Sequence, residues 1–300
     1  IWGGSAGVIF SFLVEMAIPA SEFVTMAIVA PLAEELAKAS VFILVATGAR
    51  KLELTSLTDH IFYAGICALG FAFVENLGYF ALSSSAGEFV VMALVRTGFG
   101  VFGHPLYTTA TAVGIWAWRT KGGLWKAAVG YIAACLLHGL WNGGPTLLAG
   151  SLGLDDTGQL AAMILVYIVL FVPVFIGTII MTTRNRRNEY EAVRSQLPLM
   201  VEAGLVTPAE ADMIADPRKR RAILADSGKY GRVAKRNQKR TITAATEAAL
   251  AQHRIAAGEG GPELVKRRDQ LSEWLRSRPD KLGQLPLMPQ FPPIQPPATW

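Results

Sequence analysis

Residues 22–47 read EFVTMAIVAPLAEELAKASVFILVAT, an apolar run of 26 residues with charged side chains near its middle. About 20 apolar residues suffice for a helix to cross the hydrocarbon core of a bilayer. A charge near the bilayer centre costs at least about 2.5–3.5 kcal/mol, so such groups are kept where they face the interior of a helix bundle. The stretch therefore predicts a transmembrane helix with Glu34, Glu35 and Lys38 on its inner face.

The same kind of apolar run recurs along the first 183 residues. Hydrophobic residues make up 52% of the chain and charged residues only 17%, which excludes a wholly soluble enzyme. We predict an all-α fold, a polytopic transmembrane helical bundle of at least six spans followed by a cytoplasmic helical tail. The predicted spans are residues 1–19, 22–47, 60–83, 88–118, 124–149 and 160–183.

The loops between these spans differ in charge. Lys and Arg are absent from residues 18–22, 83–88 and 151–159, and they cluster after the second, fourth and sixth spans. Because positively charged loops stay on the cytoplasmic side, the tail is predicted to be cytoplasmic. The basic residues concerned are Arg50, Lys51, Arg119, Lys121, Lys126, Arg184, Arg186 and Arg187.

A change in composition separates the membrane region from the tail. Residues 1–183 contain 7 Lys and Arg against 10 Asp and Glu, whereas residues 184–300 contain 21 against 13. We predict a membrane-embedded domain at residues 1–183, a basic cytoplasmic helical tail at 184–285 and a Pro-rich, disordered end at 286–300.

Helix signals occur within the tail. Thr207 followed by Pro208 is typical of an N-cap and a first helical residue, and residues 229–257 and 262–278 are further predicted helices. The basic run at residues 229–240 could contact anionic lipid or nucleic acid. A solvated helix face is the favoured interpretation, so nucleic acid is not expected as a partner.

Ionisable and amide side chains occur at a similar depth on four predicted spans. A rise of about 1.5 Å per residue places several of them roughly 12–24 Å below the non-cytoplasmic surface. Acyl chains cannot satisfy such groups, so we expect them to meet in one buried, hydrated centre. The i,i+4 and i,i+3 spacings keep the Lys38 ammonium near both Glu34 and Glu35. The other groups are Glu75, Asn76, Arg96, His104, His138 and Asn142.

Three short motifs occur in order along the spans. Residues 34–38 have the form EExxK, residues 71–76 the form FxxxEN and residues 138–142 the form HxxxN. Together they resemble the PrsW family of bacterial intramembrane proteases and are more distantly similar to the CAAX prenyl endopeptidases. Residues 96–104, followed by Pro105, also resemble a PrsW segment. The resemblance covers about residues 20–180.

The resemblance implies a protease-like, multi-pass domain in a bacterial inner (plasma) membrane. It implies cleavage of a membrane-anchored protein substrate, such as an anti-sigma factor, in or near the lipid bilayer. In the CAAX branch, two Glu and a later His are implied to activate water, and an Asn to support the oxyanion. The matching residues here are Glu34, Glu35, His138 and Asn142.

This sequence departs from the CAAX branch at two positions. Glu75 stands where that branch has a His, and Lys38 lies one residue earlier than its Arg. Prenylated substrates are therefore not expected.

Peptide hydrolysis needs a base for water, a donor for the oxyanion and a proton for the leaving amine. Glu35 is narrowly favoured over Glu34 as the base. No Ser or Cys lies in a nucleophile motif, so a covalent intermediate is not favoured. Arg96 could instead reach the membrane surface. The predicted catalytic residues are Glu34, Glu35, Glu75, His104, His138 and Asn142, and the predicted supporting residues are Lys38, Asn76 and Arg96.

The sequence leaves a metal cofactor open. Glu and His side chains could hold Zn²⁺, although the chain lacks an HExxH motif. Adjacent residues on a helix point about 100° apart, so one ion is not expected to bind both Glu34 and Glu35.

Two other functions are compatible with the sequence. Buried Glu and His groups would also serve a proton-coupled transporter or channel, although no inverted repeat is evident. A basic tail would suit a non-catalytic membrane scaffold. No oligomeric state is predicted.

Overall fold

The computed structural model describes residues 2–48, 54, 56–259 and 261–278, and every regular element within them is a helix. The all-α prediction is therefore confirmed. The chain divides into two compact units, Ile1–Arg186 and Arg187–Trp300. This division lies close to the predicted end of the membrane-embedded domain at residue 183.

The first unit consists of helices that lie at about the same positions in the sequence as the predicted spans. Short π-helical segments at Thr25–Val29, Leu94–Phe99 and Tyr167–Phe171 interrupt them. The α-helices are α1 (Trp2–Ala17), α2 (Glu22–Val24), α3 (Ala30–Thr47), α4 (Leu57–Ala81), α5 (Ala86–Ala93), α6 (Gly103–Lys121), α7 (Trp125–Leu152), α8 (Asp156–Val166) and α9 (Val172–Glu202), and the last of these contains the boundary between the units.

Three helical runs among the described residues are long and apolar enough to cross a membrane: Leu57–Ala81, Ala86–Lys121 and Thr157–Glu202. Gly4–Ala17 forms a shorter apolar helix. The membrane character of the chain is thus confirmed, whereas the number of six spans stays a prediction. Helix α3 is long enough to cross a membrane, but it is not counted among these runs because its sequence contains three charged side chains.

The first π-helical segment has a cause in the sequence. Pro31 has no N–H group, so it cannot donate to the carbonyl of Ala27 four residues earlier. The helix widens over Thr25–Val29, directly before this position. On the neighbouring helix α7, Asn142 Nδ2 donates to the carbonyl oxygen of Met26 at 3.0 Å. The irregular turn therefore offers a carbonyl group to α7.

Glycines allow α6 and α7 to approach closely. A Cβ added to Gly130 would lie 2.6 Å from Ala110 O and 2.9 Å from Gly114 Cα. Small residues at helix crossings permit this close packing in membranes. Because His104 lies on α6 and His138 on α7, the crossing fixes the spacing between two predicted site residues.

The second unit is a helical tail with its own apolar core, which includes Leu197, Ile214 and Leu275. Thr207 forms the predicted N-cap, as part of a capping box with Glu210. Both longer predicted helices are present, and the Pro-rich end lies outside the described residues. The helices after α9 are α10 (Pro208–Ala215), α11 (Pro217–Ser227), a 3₁₀ turn (Gly228–Tyr230), α12 (Arg232–Ala256) and α13 (Pro262–Ser277).

Gly130→Ala is expected to destabilise the membrane unit by about 1–3 kcal/mol, because the new methyl group meets backbone atoms that cannot rotate away. Gly150→Ala on the same helix is the control, since a Cβ there has no neighbouring atom within 4 Å. Thermal unfolding in detergent measures both variants. Equal melting temperatures would contradict the close crossing of α6 and α7.

Candidate active site

Lys38 lies at the centre of a buried cluster on α3. Its Nζ is 2.7 Å from Glu35 Oε1 and 3.6 Å from Glu34 Oε2, as the helical spacing predicts. The same ammonium lies 4.4 Å from the centre of the Phe71 ring. Lys38 and Glu35 are both fully buried. A buried charge survives only when partners replace its water shell, and these groups do so.

Both carboxylate oxygens of Glu35 are occupied. Oε1 accepts a hydrogen bond from Lys38 and lies 3.1 Å from His138 Nδ1. Oε2 accepts a hydrogen bond from Thr108 Oγ1 at 3.0 Å. Glu35 therefore connects α3 to α6 through Thr108 and to α7 through His138.

Glu34 has a different environment. Its Oε2 is buried and accepts no hydrogen bond from the described residues. This oxygen lies 3.7 Å from His104 Nδ1 and 3.8 Å from His138 Nε2, which is beyond hydrogen-bond range. A buried oxygen without a hydrogen bond is costly, and its position beside two imidazoles is typical of a metal-ligand set.

A second ionic group connects α4 to the start of α6. Arg96 donates to Glu75 Oε2 and to Asn76 Oδ1, and its guanidinium lies 3.7 Å from the centre of the Tyr79 ring. Glu75 Oε2 also lies 3.0 Å from His104 Nε2. Arg96 thus contacts the cluster through Glu75 and Asn76.

A cavity of about 530 Å³ opens beside the cluster. This volume lies within the range of about 300–1,000 Å³ that is usual for ligand pockets. Among the described residues, its lining includes Glu75, His104 and His138 but neither Glu34 nor Glu35. Asn142, Met26, Met92, Trp141 and Met163 also line the cavity.

The side chains present fit a zinc ion. Glu34, His104 and His138 each offer one ligand atom, and these atoms lie within 4.8 Å of one another. Zinc bonds to nitrogen and oxygen are about 2.0–2.2 Å long, so two ligand atoms on a tetrahedral ion lie about 3.4 Å apart. The separations of 3.7 and 3.8 Å at Glu34 need only a small contraction, and the ligand atoms of His104 and His138 lie within 4.8 Å of each other.

Each imidazole also has a carboxylate at its other ring nitrogen. Glu35 contacts His138 Nδ1, and Glu75 contacts His104 Nε2. Histidines that bind metals usually have such outer partners, which fix the orientation of the ring. Lys38 Nζ lies 2.8 Å from His104 Nδ1, so the ammonium and a metal ion would compete for that nitrogen.

The predicted site residues come together in the first unit. All except Asn142 belong to one network of contacts around Lys38, and Asn142 lines the same cavity. Their catalytic and supporting roles stay predictions. Sequence reasoning missed Tyr107 and Thr108, which follow His104 at i+3 and i+4. That spacing on one helix face was the available signal.

Comparison with known families agrees with this geometry. A family model described as PrsW family intramembrane metalloprotease matches residues 1–178. The chain belongs to the PrsW family. No curated protein and no solved structure matches it.

Membership of the PrsW family makes the chain a membrane hydrolase, an intramembrane protease that acts on a membrane protein in the bilayer. The resemblance inferred from the three motifs is confirmed. The family match includes every predicted site residue and ends before the second unit. The metalloprotease description also agrees with the Glu34, His104 and His138 group as a possible zinc site.

Zinc content provides a direct test of this ligand set. Wild-type protein that is stripped with chelator and dialysed against Zn²⁺ should retain about one ion per chain. Glu34→Gln and His138→Gln should each lose most of it, because three protein ligands are the usual minimum of a catalytic zinc site. His253→Gln in the tail is the control. Undiminished zinc in both site variants, measured by mass spectrometry, would refute the assignment.

Proposed function

We propose that this PrsW-family protein is a zinc-dependent endopeptidase that hydrolyses a peptide bond of a membrane-anchored protein in or beside the bilayer. One observation carries the proposal: Glu34 Oε2, which accepts no hydrogen bond from the described residues, faces two imidazoles, His104 and His138, that line a cavity. Six spans, location in a bacterial inner membrane and a cytoplasmic tail are parts of the same proposal.

The metal site is supported by the two outer carboxylates. Glu34, His104 and His138 would hold the ion, which when bound supplies a Lewis acid and an activated water. Glu35 holds the Nδ1 side of His138, and Glu75 holds the Nε2 side of His104. The remaining nitrogens, His104 Nδ1 and His138 Nε2, lie 3.7 and 3.8 Å from Glu34 Oε2, and an ion bound there would displace the Lys38 ammonium from His104 Nδ1.

We assign the base to Glu75. The sequence narrowly favours Glu35, but both oxygens of Glu35 already accept hydrogen bonds and the residue does not line the cavity. Glu75 lines the cavity, and its Oε1 accepts no hydrogen bond from the described residues. Glu75 Oε1 takes a proton from the attacking water and passes it to the leaving amine. Glu35 holds His138.

Asn142 keeps its proposed role at the oxyanion. One of its two amide N–H groups donates to the carbonyl of Met26, which fixes the side chain at the cavity wall. The second N–H group remains to donate to a substrate oxygen.

The cavity wall favours an apolar substrate segment. Met26, Met92 and Met163 have flexible, polarisable side chains, which adapt to apolar groups of different shapes, and Trp141 adds a flat surface. A single-span regulatory protein, such as the anti-sigma factor that the family resemblance suggests, matches this chemistry. A Glu75→Gln variant that binds without cleaving would co-purify with the substrate, which mass spectrometry can identify.

The transporter alternative uses the same buried groups. It is not favoured, because the family is one of proteases. The two functions separate in vesicles, since a transporter produces flux driven by a pH gradient and cleaves nothing.

Substitution of a proposed zinc ligand should abolish proteolysis while the variant protein remains folded in the membrane. In vesicles with a zinc-loaded enzyme and a panel of labelled single-span proteins, Glu34→Gln and His138→Ala should reduce cleavage at least about 10²-fold. Glu88→Gln, at the exposed start of α5, is the control. Undiminished cleavage by both site variants would exclude this site, and flux without cleavage would favour the transporter.

The assignment of the base predicts a difference between two carboxylates. Glu35→Gln should weaken zinc binding about 10–100-fold, because it removes an outer partner of His138, and excess zinc should restore activity. Glu75→Gln should lower kcat about 10²–10⁴-fold and stay inactive at saturating zinc. Zinc titration with kinetics measures both effects. The opposite result, with only Glu75→Gln rescued, would return the base role to Glu35.

A further inference from the structure

Tyr107 lies beside the proposed zinc ligands although no motif contains it. Only 1% of its surface is exposed. Its ring stacks on His138 with a centroid distance of 4.7 Å and an interplanar angle of 21°. It also meets the edges of His104 and Phe171, each at 5.7 Å. The ring is therefore held firmly against both imidazoles.

The hydroxyl group of Tyr107 makes no hydrogen bond within the described part of the chain. Among the residues that the structure describes, none donates to or accepts from its Oη, although a buried Tyr hydroxyl usually finds a hydrogen bond. Tyr107 lines the 530 Å³ cavity together with His138. Its O–H is thus available to a polar group that enters the cavity.

Gly103 makes this position of the hydroxyl possible. A Cβ at residue 103 would lie 2.6 Å from Tyr107 Oη and 3.1 Å from Cζ. Any larger residue would push the phenol away from its place along α6. Gly103 therefore leaves room for the hydroxyl group, and the stacking of the ring on His138 holds it in place.

Two other donors on the cavity wall, Arg96 and Asn142, are partly committed. Arg96 donates to Glu75 and Asn76, and Asn142 uses one N–H group for the Met26 carbonyl. An oxyanion hole works best with two or more preorganised donors near the reacting carbonyl. Tyr79, Trp141, Thr146 and Gln159 also line the cavity, and Tyr107 differs from them in that its ring stacks on His138.

We propose that Tyr107 is a catalytic residue that donates its hydroxyl proton in a hydrogen bond to the substrate oxyanion. The inference rests on the proposed protease function and adds a residue that the motifs do not include. A bond forms between the water oxygen and the substrate carbonyl carbon, while Glu75 Oε1 takes the water proton. The carbonyl π electrons move to its oxygen, which accepts hydrogen bonds from Tyr107 and Asn142. When the C–N bond breaks, the amine leaves with the proton from Glu75.

Tyr107→Phe tests this role, because it keeps the ring stacked on His138 and removes only the hydroxyl. We expect kcat to fall about 10²-fold with KM within about twofold of wild type, since the contact forms only in the transition state. A peptide phosphinate, which carries a tetrahedral anion, should bind about 10²-fold more weakly to the variant. An uncleavable substrate peptide should bind equally well to both proteins.

Tyr230→Phe in the tail is the control, since the Tyr230 side chain is exposed and does not line the cavity. Zinc content and melting temperature should stay at wild-type values in both variants. A kcat within threefold of wild type in Tyr107→Phe would overturn the inference. So would a loss of activity that is matched by a loss of zinc or of thermal stability, because that result indicates a structural role.

The outcomes also separate this inference from the proposed function. If wild-type protein cleaves and Glu75→Gln does not, while Tyr107→Phe stays active, only the role of Tyr107 fails. If wild-type protein neither cleaves a single-span substrate nor binds the phosphinate, the proposed function and the role of Tyr107 fail together.

Discussion

The burial of the Lys38 ammonium is the constraint on which the rest of the membrane unit depends. A charge that leaves water costs several kcal/mol unless partners replace its hydration shell with good geometry. Lys38 has no exposed surface, so Glu35 and His104 must approach its Nζ to 2.7 and 2.8 Å. These partners lie on α3 and α6, and Glu35 extends the connection to His138 on α7. One buried cation therefore fixes three helices relative to one another.

Two series of contacts, each running from a cation through a carboxylate to an imidazole, end beside Glu34. Lys38 contacts Glu35, which contacts His138, and Arg96 contacts Glu75, which contacts His104. In each series, a cation orients a carboxylate, and the carboxylate orients an imidazole. Glu34 Oε2 lies where the two imidazoles meet. This arrangement explains why so many charges remain in an apolar domain: Glu34, Glu35 and Lys38 lie behind the cavity wall, and Glu75 and Arg96 line it.

The sequence predicted those parts of the site that depend on spacing within one helix. The relation of Lys38 to Glu34 and Glu35 follows from i,i+3 and i,i+4 geometry, the HxxxN motif located His138, and the similar depth on the predicted spans located His104. Tyr107 and Thr108 share a helix face with His104 by their i+3 and i+4 spacing, but spacing does not reveal which groups of the other helices that face meets, so they were missed. The sequence favoured Glu35 as the base for the same reason: it does not reveal which carboxylate is already surrounded by hydrogen-bond donors from other helices. Helix lengths establish membrane character, but the charges of α3 lower its hydropathy, so composition alone leaves the count of spans open.

Contacts near 3 Å between side chains of different helices persist only if the helix backbones shift relative to one another by much less than 3 Å. The glycines at the crossing of α6 and α7 bring the two backbones into direct contact, which leaves little freedom to slide. On the other side of α7, Asn142 donates to Met26 in the π-helical turn that precedes α3. The helix that carries His138 is thus fixed to both neighbours by backbone groups rather than by apolar side chains alone. In lipid, the hydrophobic effect does not drive helices together. Close packing and hydrogen bonds between helices must therefore keep the site residues in their positions.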